Sequence, residues 1–91
     1  MLTLQVKKSS WLAIYNFERV EESMKIRPHW EKRFKKLGLL DEEGQPMKYA
    51  VADVRMTYGF NESSPKLRVR VTLGIRGDNY VMKILRVDRI R

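Results

Sequence analysis

Basic side chains dominate the C-terminal part of the chain. Residues 66–91 contain eight lysines and arginines but only two acidic residues, Asp78 and Asp88. Over the whole chain, 19 basic residues outnumber 11 acidic ones, which gives a formal net charge of +8. Such an excess indicates the charge of a partner and carries no information about the fold. We therefore expect a polyanionic partner, and the folded position of these charges decides where it binds.

The residues that catalysis and metal binding require are scarce. His29 is the only histidine and the chain has no cysteine, so neither a histidine general base with an orienting partner nor a thiolate metal site is predicted. Asp41, Glu42 and Glu43 lack the spaced oxygen ligands of a calcium loop. No glycine-rich turn precedes the Lys-Ser/Thr pair of a nucleotide-binding loop. We expect no catalytic residue, no metal ion and no cofactor.

The first half of the chain predicts one strand and two helices. Residues 1–6 alternate between apolar and polar side chains, as strands do. A helix is predicted from Ser9 or Ser10 to Ile26, because apolar residues recur along one helical stripe. These are Ala13, Phe17, Val20 and Met24. A second helix is predicted over Pro28–Leu37, with Gly38 as a left-handed cap that lets Leu39 fold back on Phe34.

From Met47 onward the apolar period changes to two, which predicts three antiparallel strands. Residues 50–58 and 66–75 alternate, and Gly77-Asp78 is typical of a two-residue hairpin turn into 80–90. That turn sets Ile75 opposite Tyr80, Leu73 opposite Met82 and Val71 opposite Ile84. We predict a single α+β domain, residues 1–91, with two N-terminal helices packed on one face of a three- to four-stranded antiparallel sheet in the order β-α-α-β-β-β.

The opposite face of this sheet is predicted to be bare and basic. The hairpin register and the strand alternation place two threonines, Thr57 and Thr72, on it, with Asp53 as the only outward acid on the central strands. The predicted phosphate-binding residues there are Arg55, Arg68, Arg70, Lys83 and Arg89, and Tyr49 is predicted to stack on bases. Arg55 and Arg70 are expected to lie near each other without compensation, at a cost in stability that favours a binding role. A second basic group on helix two is interpreted as a solvated helix face.

Three apolar residues interrupt that basic face. In the predicted register, Val81, Leu85 and Val87 also point outward. Either a β-bulge shifts the last strand, or these residues contact a second subunit or another protein. We favour the contact, which predicts a homodimer or a protein partner.

The length and the apolar runs limit the class of protein. The chain has 91 residues, and its longest purely apolar run is Trp11–Tyr15, far short of the roughly 20 residues that span a bilayer. No charged leader with a small-residue cleavage site is recognised. We therefore expect a cytoplasmic protein without membrane contact.

The predicted element order resembles that of the small RelE-like ribonuclease toxins. Residues 66–91, with Leu85-Arg86-Val87 followed by Asp88-Arg89, look like the closing hairpin of that family. The resemblance implies an mRNA-binding sheet face opposite the helices, on which Arg, Lys, Tyr or His side chains cleave the RNA. No His or Tyr stands near the C-terminus of this chain.

The leading hypothesis is a small nucleic-acid-binding protein that contacts RNA or DNA through the phosphate backbone. The first alternative is a RelE-like ribonuclease toxin that acts on mRNA without a metal. The second is an interaction module or inhibitor whose basic face docks an acidic protein.

Overall fold

Five strands form one sheet in the computed structural model, which describes residues 2–59 and 63–88. The elements are β1 (Thr3–Gln5), α1 (Lys8–Tyr15), β2 (Glu21–Lys25), α2 (Pro28–Lys36), β3 (Ala52–Thr57), β4 (Lys66–Arg76) and β5 (Asn79–Asp88). The order across the sheet is β1-β3-β4-β5-β2. β1 is parallel to β3, and the other neighbours are antiparallel. The α+β class is confirmed, but the sheet is five-stranded and mixed rather than three- to four-stranded and antiparallel.

The core lies between the helices and one face of the sheet. Along β4, Leu67, Val69, Val71 and Leu73 are buried while the residues between them are not. They share one apolar cluster with Trp11 of α1 and Phe34 of α2. The Trp11 indole Nε1 donates to the Met56 carbonyl at 3.0 Å, and the Phe34 ring meets the Tyr80 ring edge-on at 5.1 Å. Both helices therefore cover the same face, and within residues 2–59 and 63–88 no helix covers the other one.

The first helix is much shorter than the sequence predicts. It ends at Tyr15 because Phe17 adopts a left-handed conformation, with φ +57°. The Phe17 amide donates to the Ile14 carbonyl and the Glu18 amide to the Ala13 carbonyl, which is the Schellman arrangement that glycine usually completes. The prediction of a helix up to Ile26 is wrong, because a phenylalanine takes the glycine position and gives no stop signal.

The segment after this cap is a strand. β2 pairs antiparallel with β5, with Glu22 opposite Met82 and Met24 opposite Tyr80. Phe17 and Val20, members of the supposed helical stripe, are 47% and 43% exposed. The order β-α-α-β-β-β is therefore wrong. A strand separates the two helices, so the element order behind the resemblance to RelE-like toxins is not that of the structure.

The second helix follows its prediction closely. It spans Pro28–Lys36, and Gly38 has φ +80°. The Leu39 amide donates to the Phe34 carbonyl at 3.0 Å, and both side chains are buried. The predicted left-handed cap is confirmed.

The β4–β5 hairpin has the predicted register up to a bulge. Ile75 lies opposite Tyr80, Leu73 opposite Met82 and Val71 opposite Ile84, while Gly77 in the turn has φ +60°. The register then shifts by one residue at a β-bulge. Arg70 lies opposite Arg86, and Leu85 has no partner on β4.

The three apolar residues that were predicted to point outward differ in position and exposure. Val87 lies opposite Val69 and packs against the core, and Val81 is only 6% exposed. Leu85 alone of the three is exposed, at 50%. The bulge turns Val87 toward the core, so the prediction that all three residues point outward is wrong for Val87. Val81 precedes the bulge and keeps its predicted outward side, opposite Gly74. A homodimer or protein partner through these residues stays a prediction.

Candidate nucleic-acid interface

Many basic residues lie on the sheet face turned away from the helices, which we call the basic face. Its members follow from the strand registers, since paired residues lie on the same side of a sheet. Its basic residues in the described part of the chain are Lys25, Arg55, Lys66, Arg68, Arg70, Arg76, Lys83 and Arg86. Its acidic residues there are Glu21, Asp53 and Asp88. Eight cations against three anions leave a clear positive excess.

Asp53 lies at the centre of this face and binds two arginines. Its Oδ2 accepts from the Arg68 guanidinium at 2.8 Å, and its Oδ1 accepts from Arg70 Nε at 3.0 Å. The two arginine side chains stay about half exposed, at 48% and 47%. A single carboxylate thus holds two guanidinium groups side by side and neutralises the charge of one.

The hydrogen bonds between Asp53 and the two arginines favour the charged forms of Asp53 and Arg70. The hydrogen bonds from Arg70 and then Arg68 lower the pKa of Asp53 below its ordinary value of 3.8. In turn, the hydrogen bond to Asp53 raises the pKa of Arg70 above its ordinary value. One carboxylate thus faces two guanidinium groups, which leaves a net positive charge on these three residues.

Two arginine pairs stand directly opposite each other across neighbouring strands. Arg55 on β3 lies opposite Arg68, and Arg70 lies opposite Arg86. We call these four residues the arginine cluster. Arg55 and Arg70, which were predicted to lie near each other, share this face as diagonal neighbours, because Arg68 lies opposite Arg55 and Asp53 lies opposite Arg70. The expected lack of compensation is also wrong for Arg68 and Arg70, whereas Arg55 forms no ion pair with the described residues.

Arg86 belongs to the cluster although the sequence did not single it out. Its Nε lies 2.9 Å from Asp88 Oδ1. Both residues reach the basic face only because Leu85 is an extra residue in β5. Without a bulge, strict alternation would turn Arg86 toward the core, and no sequence signal marks the bulge.

A shallow depression lies on the basic face at Gly74. It measures about 280 Å³, and its lining includes Thr72, Arg76 and Lys83. A Cβ added at Gly74 would meet only the Val81 carbonyl, at 3.9 Å. Arg76 reaches Glu21 at 3.5 Å with a largely exposed side chain. Two cations therefore flank a space that no side chain fills.

Three further residues were predicted for this face. Tyr49 precedes β3, has φ +65° and is 89% exposed. Its ring lies 5.4 Å from Lys48 Nζ. Because β3 begins only at Ala52, the prediction of Tyr49 as part of the outward strand face is wrong. Thr57 is on the face by register but is 4% exposed. Arg89 lies outside the described residues.

The remaining chemistry of the described residues adds no competing site. The His29 ring lies 4.6 Å from that of Trp30. Within residues 2–59 and 63–88, no three histidine or acidic side chains come together as metal ligands. In the same residues, no helix has the length and apolar character needed to cross a membrane.

The comparisons with protein-family models, curated proteins and solved structures find no match to this chain.

Proposed function

We propose that the protein binds nucleic acid through the basic face, mainly by contacts to phosphate groups. The observation that carries the proposal is the arginine cluster. It brings four guanidinium groups together on a face that no helix covers, with Asp53 and Asp88 as the only acidic partners on β3 to β5. Like charges directly opposite each other destabilise a sheet. A polyanion would relieve this repulsion when it binds, and it would release counterions.

Asp53 supports this role by orienting the arginines. A guanidinium group has five N–H donors, and Arg68 and Arg70 each use a donor on Asp53. Most donors therefore remain available for the oxygens of a phosphate, which arginine binds in a fork geometry. Lys83 and Arg76 extend the surface to the depression at Gly74, which we assign as a further phosphate position.

The composition of the face favours contacts with the backbone over contacts with the bases. Proteins that grip single strands through their bases use exposed aromatic rings as stacking platforms. The described strand residues of the basic face include no aromatic residue. We therefore expect strong dependence on salt and little selectivity among sequences.

The test is an electrophoretic shift titrated with salt, on a 20-nucleotide RNA and on duplex DNA. Arg68→Ala with Arg70→Ala should lower the salt slope by about 1.4–1.8, which is about 0.7–0.9 for each lost phosphate contact. The matched control is Lys32→Ala with Lys36→Ala, which removes the same charge from exposed positions of α2. We expect the control to keep the slope of the unmodified protein.

Equal slopes for the two double variants would place the binding surface elsewhere. A protein partner is distinguished by a pull-down from nuclease-treated lysate, since an acidic protein would survive this treatment and a nucleic acid would not. Circular dichroism of both variants checks that the sheet is intact.

A further inference from the structure

A cavity of about 540 Å³ lies between the two edge strands of the sheet, on the helix side. β1 lines one wall with Leu4, Gln5 and Val6, and β2 lines the other with Glu22, Ser23 and Met24. The starts of both helices contribute Ser9, Ser10 and Trp30. Two cations, Lys7 and Arg19, complete the lining. This volume is in the range of ligand pockets, about 300–1,000 Å³.

The backbone of each edge strand has unpaired groups at this cavity. The Ile84 amide donates to the Val20 carbonyl, and the Ile26 amide donates to the Asp78 carbonyl. Because bonding alternates along an antiparallel pair, the even-numbered residues of β2 bond to β5 and Ser23 points away from it. On β1, the Val6 amide donates to the Thr57 carbonyl, so Gln5 points away from β3. Neither Gln5 nor Ser23 forms a backbone hydrogen bond with the described residues.

The Glu22 carboxylate lies at this open edge and has an oxygen that lacks a hydrogen-bond donor in the described part of the chain. Its side chain is 17% exposed, and its buried Oε2 accepts no hydrogen bond from the described residues. Arg19 Nε forms an ion pair with this oxygen at 3.4 Å, but its hydrogen bond goes to the Glu21 carbonyl, at 3.0 Å. A buried carboxylate oxygen without a donor is costly. A ligand that supplies an N–H donor at this point would gain that energy.

We propose that the free edge of β2 binds an extended peptide that adds a strand to the sheet and places a lysine or arginine side chain beside Glu22. Exposed strand edges accept peptides in this way, with affinity from the main chain and specificity from alternate side chains. The inward side chains of the peptide would enter the cavity, against Leu4 and Met24. The cavity lies on the helix side of the sheet, so this site is separate from the basic face.

Selection of a phage-displayed random octapeptide library against the whole chain tests the proposal. We expect enriched sequences to alternate between apolar and polar residues and to share one basic residue on the apolar side. The best peptide is then synthesised, and its affinity is measured by fluorescence anisotropy. Ser23→Ala, which keeps the backbone N–H, should bind it like the unmodified protein.

Ser23→Pro should weaken binding at least tenfold, because it removes an N–H on the free edge and leaves the β5 pairing in place. Glu22→Gln gives a second readout if the proline variant fails to fold. Exchange of the peptide's basic residue for norleucine should reduce its affinity for the unmodified protein and not for Glu22→Gln. Both variants should bind nucleic acid normally, which separates this proposal from the previous one.

Three results would overturn the proposal. The first is a selection without enrichment. The second is equal peptide affinity of a folded Ser23→Pro variant and the unmodified protein. The third is a dimer seen by sedimentation that Ser23→Pro abolishes, because a second copy of the chain would then occupy this edge.

Discussion

The substitution Gly74→Val is expected to raise the free energy of unfolding and to lower the affinity for nucleic acid. Gly74 is in the interior of β4, on the basic face, opposite Val81. Its backbone does not need glycine, since its φ is outside the left-handed region, and a Cβ would make only ordinary contact with the Val81 carbonyl, at 3.9 Å. The new side chain would occupy the depression of about 280 Å³ between Arg76 and Lys83.

Two contributions set the expected gain in stability. Glycine inside a strand costs about 0.5–1 kcal/mol relative to alanine, and a Val–Val pair across the strands adds about 0.2–1 kcal/mol. The free energy of unfolding should therefore rise by roughly 1 kcal/mol, which corresponds to an increase in Tm of about 4–8 °C for a domain of this size. Nucleic-acid affinity should fall in parallel, with a salt slope lower by about 0.7–0.9 for the lost phosphate position.

Urea and thermal unfolding measure the first effect, and the salt-titrated electrophoretic shift measures the second. Gly74→Ala is the matched control, because it brings the backbone gain with much less filling of the depression. A variant of lower stability would contradict the open environment assigned to Gly74. A stabler variant with unchanged affinity and slope would remove the depression from the binding surface.

Two further substitutions test the electrostatics and the helix cap. Asp53 has a pKa below its ordinary value of 3.8, so its ion pairs stabilise the fold above that value and are lost as the pH falls through the lowered pKa. Asp53→Asn should therefore be less stable than the unmodified protein in urea at pH 7, and this difference should shrink at pH 3; a difference that persists at pH 3 would implicate another cause. Gly38→Ala forces an alanine to φ +80° and should cost about 1–2 kcal/mol in the same unfolding assay, whereas an unchanged midpoint would contradict the left-handed cap.

The parts of the fold predicted correctly are those that local residue patterns specify. The alternation of Leu67, Val69 and Val71 fixes the inner side of β4, and Gly77-Asp78 fixes the hairpin register. Gly38 marks the end of α2 because its missing side chain permits the left-handed conformation. Each of these signals acts within a few residues of the feature that it determines.

The missed elements depend on distant contacts or on an unusual residue. α1 ends at a left-handed Phe17, so the spacing of Phe17, Val20 and Met24 suggests a helix that the chain does not form. β2 contains Glu21-Glu22-Ser23 and has little strand character of its own. It is a strand because β5, about 60 residues later, provides its hydrogen-bond partners.

The candidate site was predicted in part for the same reason. Arg55, Arg68, Arg70 and Lys83 lie on the predicted face, since simple alternation places them there. The pairing of Asp53 with Arg68 and Arg70 depends on the register between β3 and β4, which the sequence between these strands does not specify. The position of Arg86 on this face depends on the β-bulge at Leu85, which no residue type in β5 indicates.

The strand order also determines when the protein can fold during synthesis. The first 45 residues supply both edge strands and both helices, but no central strand. β1 pairs with β3, and β2 pairs with β5, so each edge strand lacks its partner until that later strand has left the ribosome. In the β3–β4–β5 meander, strands that are neighbours in the sheet are also neighbours in sequence. The meander can therefore form first, and the N-terminal half of the chain then packs against it. The complete five-stranded sheet can therefore form only after β5 has been synthesised.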